Sequence, residues 1–252
     1  MTEPLRAALA RLAGLPRLLV ASDYDGVLAP IVTEPSKAFP LPGAIAELAG
    51  LAELPGTTVA LVSGRARRDL AAVSGAPPSI VLVGSHGSEF ADGVQLTPAQ
   101  AELYARVEAE LRRLVRDLPG VWVETKPTTV VVHTRTAPAD VTAAAQAAVR
   151  AGPASWPGVH TTNGKEVVEL AVTTVHKGTA VAALRERAAA DGVLFVGDDR
   201  TDENAFAVLR DGDVGVKVGP GETRARFRVD DPAAAVRVFA LLRELRAGSA
   251  TG

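Results

Sequence analysis

Asp23 and Asp25 stand two residues apart in Asp23-Tyr24-Asp25-Gly26, directly after the apolar run RLLVAS at 17–22. Such a run predicts a buried parallel strand. Two carboxylates at its C-terminal end project where open α/β sheets bind ligands. Gly26 allows the chain to turn sharply, although Asp and Gly also suit an ordinary turn. Ser63-Gly64-Arg65 closes a second run, TTVALV. A hydroxyl beside free backbone N–H groups suits a phosphate, and a plain serine N-cap is the competing reading. Lys177, in His176-Lys177-Gly178, opens a predicted helix. A cation there opposes the helix dipole, which points to a specific task; a solvated surface lysine is the alternative. The fourth segment, Gly197-Asp198-Asp199-Arg200-Thr201-Asp202-Glu203, follows the run VLFV. Acids gathered at one strand end repel one another unless a cation neutralises them. The chain has no cysteine, so hard oxygen ligands and Mg²⁺ are indicated. An acidic first helical turn would account for Asp202 and Glu203, but less well for Asp198 and Asp199.

The elements that must position these groups follow from apolar periodicity. Strands are predicted at 17–22, 57–62 and 80–83, with helices at 42–54 and 65–73 between them. This alternation implies a parallel sheet with right-handed crossovers. The middle changes character. A long helix at 98–118 carries Leu103, Val107, Leu111, Leu114 and Val115 on one side, and another helix is predicted at 139–151. Strands at 121–124, 128–134, 158–161 and 166–171 suggest a small sheet covered by helices. The last third returns to the first pattern, with helices at 176–190, 202–209 and 232–246 and strands at 193–196 and 214–218. The expected organisation is a discontinuous core, 1–96 with 173–252, interrupted by a smaller α/β domain at 97–172. Hinges are expected at the crossings, Asp92–Pro98 and Val172–Val175, where a cap would open and close.

Composition narrows the classes of function. The 252 residues are 47% hydrophobic and 22% charged, with net charge −2. That is ordinary globular usage without the basic excess of a nucleic-acid binder. Glu3, Arg6 and Arg11 interrupt the first amphipathic segment, so neither a signal peptide nor a membrane span is expected. A cytoplasmic monomer acting on a small molecule is the expectation. The four histidines, His86, His133, His160 and His176, have no metal-ligand spacing, so zinc is not expected. His86 and Glu89 follow a strand in GSHGSE and can line the cleft. His133 reads as structural, His160 as surface, and His176 as shaping a helix start.

Taken in order, the four segments resemble the motifs of the haloacid dehalogenase superfamily of phosphotransferases: DxDG, a serine or threonine after the second strand, a lysine, and the acidic GDD. SDYDGVLAPIV, LVSGR, VGSHGSEF, VETKPTTVVVHTR, NGKEVVEL, HKGTA and GDDRTDE resemble, more narrowly, its trehalose-6-phosphate phosphatase family. The resemblance implies a Rossmann-like core with an inserted α/β cap and hydrolysis of trehalose 6-phosphate. Asp23 would be the nucleophile and Asp25 the general acid and base. Ser63 and Lys177 would hold the phosphoryl oxygens; Arg65 could reach a phosphate too, with an exposed helix arginine as the commoner alternative. Mg²⁺ would be held by Asp23, the Asp25 backbone carbonyl and Asp198, with Asp199 and Asp202 behind them orienting the ligands and Lys177. Lys126, Lys165 and Glu169 fall where the family binds sugar. Glu169 lies in the apolar segment VVELAV, where a buried acid would need a partner. Val27 stands where the family usually has threonine, so a local hydrogen bond near the nucleophile is expected to be lost. Other readings keep part of this picture: a phosphatase for sucrose phosphate or a glucosyl-glycerate phosphate, a phosphomutase, or a catalytically silent sugar-phosphate sensor.

Overall fold

The computed structural model describes residues 2–91, 96–164 and 166–249. The chain divides into two compact units, Met1–Asp92 with Val175–Gly252, and Gly93–Thr174. The expected hinge segment 92–95 and Lys165 lie outside the described residues.

The first unit opens with helix α1 (Glu3–Ala13), strand β1 (Leu18–Ser22), helix α2 (Ala44–Ala52), strand β2 (Thr57–Val62), helix α3 (Arg67–Ser74) and strand β3 (Ile80–Val83). All five residues of β1 are buried, as expected for a parallel strand covered on both faces. The second unit holds helix α4 (Pro98–Val115), strands β4 (Trp122–Lys126) and β5 (Thr129–His133), helix α5 (Ala139–Ala151), and strands β6 (His160–Gly164) and β7 (Val167–Ala171). The chain then re-enters the first unit with helix α6 (Lys177–Arg187), strand β8 (Gly192–Gly197), the short helix α7 (Glu203–Phe206), strands β9 (Val214–Val218) and β10 (Phe227–Val229), and helix α8 (Pro232–Ser249).

The first unit's sheet is parallel throughout, in the order β10-β9-β8-β1-β2-β3. From β1 the chain proceeds outward through β2 and β3, and later fills the other side with β8, β9 and β10. The order therefore reverses between β1 and β8, the point where open sheets bind ligands. Ser22 lies opposite both Leu61 and Val196, so the three central strands end side by side. Apolar clusters cover both faces, one including Leu5, Leu12, Val20, Leu48 and Phe239, the other Val62, Val181, Phe195 and Phe206.

The second unit's sheet is antiparallel, in the order β4-β5-β7-β6. Val130, Val132, Val168 and Leu170 pack with Val107 and Leu111 of α4 and Val149 of α5. Thr97 caps α4, accepting from the Gln100 N–H at 3.3 Å, while the Gln100 side chain accepts from the Thr97 N–H at 3.0 Å. That reciprocal pair, with Pro98 in the first turn, fixes where the helix begins.

Three local outcomes differ from the periodicity. Helix α3 starts at Arg67 rather than 65, because the Arg65 N–H donates to Ser63 Oγ and the Arg65 carbonyl accepts from the Ser85 N–H. The helix expected at 202–209 is a 3₁₀ turn, Arg200–Asp202, followed by the four-residue α7. Strand β10 is too short and too exposed to stand out by pattern.

Candidate active site

Asp23 is the first residue after β1. Its N–H donates to the Val196 carbonyl at 2.9 Å, which ties it to β8. The side chain is nearly enclosed, and both oxygens are engaged: Oδ1 accepts from the Tyr24 N–H at 2.6 Å, and Oδ2 from Lys177 Nζ at 2.5 Å. Lys177 is 1% exposed, so it is not a solvated surface cation. It enters from the first residue of α6, whose N-cap is His176; the imidazole Nδ1 accepts from the Thr179 N–H at 3.2 Å. The same ammonium donates to Asp202 Oδ1 at 2.8 Å. Asp202 is fully buried, and its Oδ2 accepts from the N–H groups of Asp198 and Asp199, each at 2.9 Å. Asp202 thus holds the ammonium with one oxygen and shapes the Gly197–Asp199 turn with the other. Asp199 itself is exposed.

Carboxylate oxygens of Asp23, Asp198 and Asp202 lie within 4.8 Å of one another. Gly26, at φ +75°, makes this approach possible: any Cβ there would overlap the Asp198 carboxylate. Burial is the first cause that pushes Asp23 up to about 8; Lys177 pulls it back, while Asp202 raises it further. Asp198 is pushed up to about 6, again by burial first and then by Asp202. For Lys177, burial disfavours the charge, but Asp23 and Asp202 outweigh it and hold the ammonium above its ordinary range. The directions share one physical cause: the three carboxylates bring more buried negative charge than Lys177 and the nearby Lys217 neutralise. A hard cation bridging Asp23 and Asp198 would correct the imbalance, and an all-oxygen donor set suits one.

Ser63 is buried after β2, donating its N–H to the Val83 carbonyl at 3.0 Å. It is not a helix N-cap, since α3 begins four residues later and is preceded by Ala66. Gly64 leaves room for the His86 imidazole, which a Cβ there would displace. The His86 N–H donates to the Ser63 carbonyl at 2.9 Å. Arg65 does not point away as an exposed helix arginine would. Its guanidinium grips Asp25, Nε to Oδ2 and Nη2 to Oδ1, both at 2.7 Å. Glu89 Oε2 accepts from the Arg67 N–H at 2.8 Å and from Ser85 Oγ at 3.3 Å, so this carboxylate binds two loops together. Val27 is fully buried in the apolar cluster with Leu28 and Phe239; the side chain that replaces the usual threonine faces hydrocarbon.

Two groups here escape a reading by motif. Lys217, 4% exposed in β9, donates its ammonium to the Asp198 carbonyl; its signal is a lone lysine in the otherwise apolar VGVKV. Tyr24 is buried between the two aspartates, its hydroxyl 2.7 Å from the Ala38 carbonyl and 3.1 Å from that of Val73. Its phenol is pushed up to about 12, by burial and then by Asp25.

In the second unit, strand register places Glu124 opposite Val131, Val131 opposite Glu169, and Glu169 opposite Thr162; Lys126 lies opposite Thr129. Lys126 and Glu169 therefore share the sheet face away from α4 and α5. Glu169 is half-buried there, between buried Val168 and Leu170, so the partner expected for a buried acid is not needed. Glu124 joins the same face, and its signal in the sequence is the two-residue alternation of Trp122, Glu124 and Lys126. His133 Nε2 lies 2.8 Å from Glu124 Oε2, and the Trp122 ring stacks on the imidazole at 3.9 Å and 7°. His160 is exposed.

The reversal of strand order beside Asp23 and Asp198, the lysine arriving from α6, and the antiparallel unit inserted between the second and third motifs are together the haloacid dehalogenase fold with an α/β insert. A family model for trehalose-phosphatase matches residues 21–233. The chain belongs to the trehalose-phosphatase family. It is 35% identical over 227 residues to the bifunctional trehalose-6-phosphate synthase/phosphatase of Thermoproteus tenax, covering 85% of this chain and 30% of that protein. It is 35% identical over 245 residues to the trehalose-phosphate phosphatase of Mycobacterium marinum, covering 90% of this chain and 62% of that one. This chain therefore spans less than two thirds of either relative. The solved structure of the Aspergillus fumigatus trehalose-6-phosphate phosphatase superposes with a TM-score of 0.70 and 26% identity, covering 95% of this chain and 97% of that one.

Proposed function

We propose that this chain is a Mg²⁺-dependent phosphatase that hydrolyses trehalose 6-phosphate to trehalose and phosphate through an aspartyl phosphate on Asp23. The observation that carries the reading is the Lys177 ammonium bridging Asp23 and Asp202 at the β1–β8 crevice. It holds an aspartate fixed, buried and next to positive charge where a phosphate would enter, and the named relatives act on phosphorylated trehalose.

In the first half, an oxygen of Asp23 bonds to phosphorus as the phosphorus–sugar oxygen bond breaks. Asp25 gives its proton to the departing oxygen. In the second half, water attacks phosphorus, its proton passes to Asp25, and the electron pair of the breaking bond returns to Asp23. Two of the three Lys177 protons are used by carboxylates, so the third is available to a phosphoryl oxygen, together with the Ser63 hydroxyl. Mg²⁺, held by Asp23, Asp198 and the Asp25 carbonyl, would shield the nucleophile from the phosphate dianion. The polar face of the β4-β5-β7-β6 sheet, with Lys126 and Glu169, would read the sugar hydroxyls as a cap spanning 97–172, and Lys165, on the resemblance alone, would join them.

The test is phosphate release from trehalose 6-phosphate, sucrose 6-phosphate and glucose 6-phosphate, with Mg²⁺ or EDTA, for wild type and Asp23→Asn. Metal-dependent turnover of trehalose 6-phosphate that vanishes in the variant is the expected result. Turnover of another sugar phosphate alone would refute the substrate and retain the chemistry. No turnover at all would refute both.

A further inference from the structure

Asp25 is held differently from the other acids at the strand ends. Its side chain is 30% exposed, and its partner is Arg65, whose side chain is 13% exposed. Arg65 sits on a fixed platform. Its N–H donates to Ser63 Oγ at 3.2 Å, its carbonyl accepts from the Ser85 N–H at 2.7 Å, and its guanidinium lies 5.7 Å from the Tyr24 ring centroid. Both guanidinium bonds to Asp25 are 2.7 Å. Paired, parallel contacts of this kind constrain orientation as well as adding energy. Both Asp25 oxygens accept from the guanidinium, and each keeps a second lone-pair site for another partner.

The two halves of the proposed reaction ask opposite things of Asp25. The first needs a proton on it, and the second needs an unprotonated oxygen with a lone pair free for water. We infer that Arg65 is a positioning residue for the second half: it holds Asp25 as the base that takes the proton of the attacking water, rather than acting as a phosphate ligand. The inference rests on the phosphatase reading above. In the step concerned, the water oxygen–phosphorus bond forms, the Asp23 oxygen–phosphorus bond breaks with its electron pair going to Asp23, and the water proton moves to Asp25. That proton is then present for the next sugar oxygen to leave.

4-Nitrophenyl phosphate separates the halves, because its phenolate departs without a proton. Rapid mixing with Mg²⁺ gives the first-turnover and steady-state rates of 4-nitrophenolate release for wild type, Arg65→Gln and Arg65→Lys. In Arg65→Gln the ratio of first-turnover to steady-state rate should rise about 10–100-fold, the scale of a lost base orientation. Acid quench should trap phosphate on the protein. Arg65→Lys should fall between, since lysine keeps the charge and loses the planar fork. If Arg65→Gln melts below the assay temperature, Arg65→Lys carries the same comparison. An unchanged or lowered ratio overturns the inference, because Arg65 would then serve the first half or neither. A wild type that releases no 4-nitrophenolate, or releases it no faster than Asp23→Asn, overturns the phosphatase reading and the inference with it.

Discussion

The strand ends of the parallel sheet and the open face of the antiparallel sheet both carry charged side chains, but under opposite conditions. At the strand ends Asp23, Lys177 and Asp202 are buried and held by partners 2.5–2.9 Å away. On the open face Lys126 and Glu169 are half-buried beside solvent. A buried charge has to be matched by a partner or it is strongly unfavourable. Each residue at the strand ends is therefore constrained by the others, and the arrangement tolerates little change. A half-exposed charge is solvated at small cost and can be exchanged to suit a ligand. On the proposed reading, the first region would carry chemistry that is the same for any phosphate monoester, and the second would choose among sugars.

That contrast makes ranked predictions. Asp23→Asn should remove the nucleophile and lower turnover of trehalose 6-phosphate and of 4-nitrophenyl phosphate alike, on the order of 10⁴-fold or more. A variant that lost only the sugar substrate would show that the strand ends select rather than react. Lys177→Met leaves Asp23 and Asp202 facing each other without a counter-charge. Unfolding by urea in Mg²⁺-free buffer should show a loss of about 3–5 kcal/mol, as for other broken buried pairs; a loss below ~1 kcal/mol would mean the pair is not interlocked.

On the open face, Glu169→Gln and Lys126→Met should lower kcat/KM for trehalose 6-phosphate about 10–100-fold, the worth of one charged hydrogen bond. The 4-nitrophenyl phosphate rate should stay within about twofold, and stability within about 0.5 kcal/mol. Equal losses on both substrates would erase the distinction between the regions.

The smallest effect concerns pH. Asp23 and Asp198 are raised to about 8 and about 6 without a cation, so the folded state holds protons that the unfolded chain has released. Their contribution to stability is fully present below pH ~4 and is lost as pH rises through these values. The melting temperature of the metal-free protein should therefore fall between pH 5.5 and 8.5 by about 2–4 °C for each ~1 kcal/mol lost. Mg²⁺ should raise it more at pH 8.5 than at pH 5.5, because protons compete with the ion. Equal Mg²⁺ shifts at both values would indicate an ion bound away from these acids.

Residue order alone determined the parallel sheet, the placement of Asp23, Ser63, Lys177 and Asp198 at element ends, and the inserted unit. These features are local: an apolar run ends, and a turn or helix start follows within one or two residues. Even the partner of Lys177 was foreshadowed, since a cation at a helix start is unfavourable unless something answers it.

Three-dimensional packing alone decided what each group touches. Nothing in the spacing of Asp25 and Arg65, forty residues apart, says that a guanidinium will grip the acid. Two parallel strands and the turn at Ser63–Arg65 bring them together. Lys217 reads as a stray lysine until β9 is laid beside β8 and its ammonium meets the Asp198 carbonyl. Glu169 reads as a buried acid in VVELAV until the pairing of β5, β6 and β7 puts it on the uncovered face. Val27 reads as a lost hydroxyl until the core closes around it. Sequence records which groups exist and where the chain turns; contact between distant segments is set by strand order and register, which depend on the whole chain packing at once.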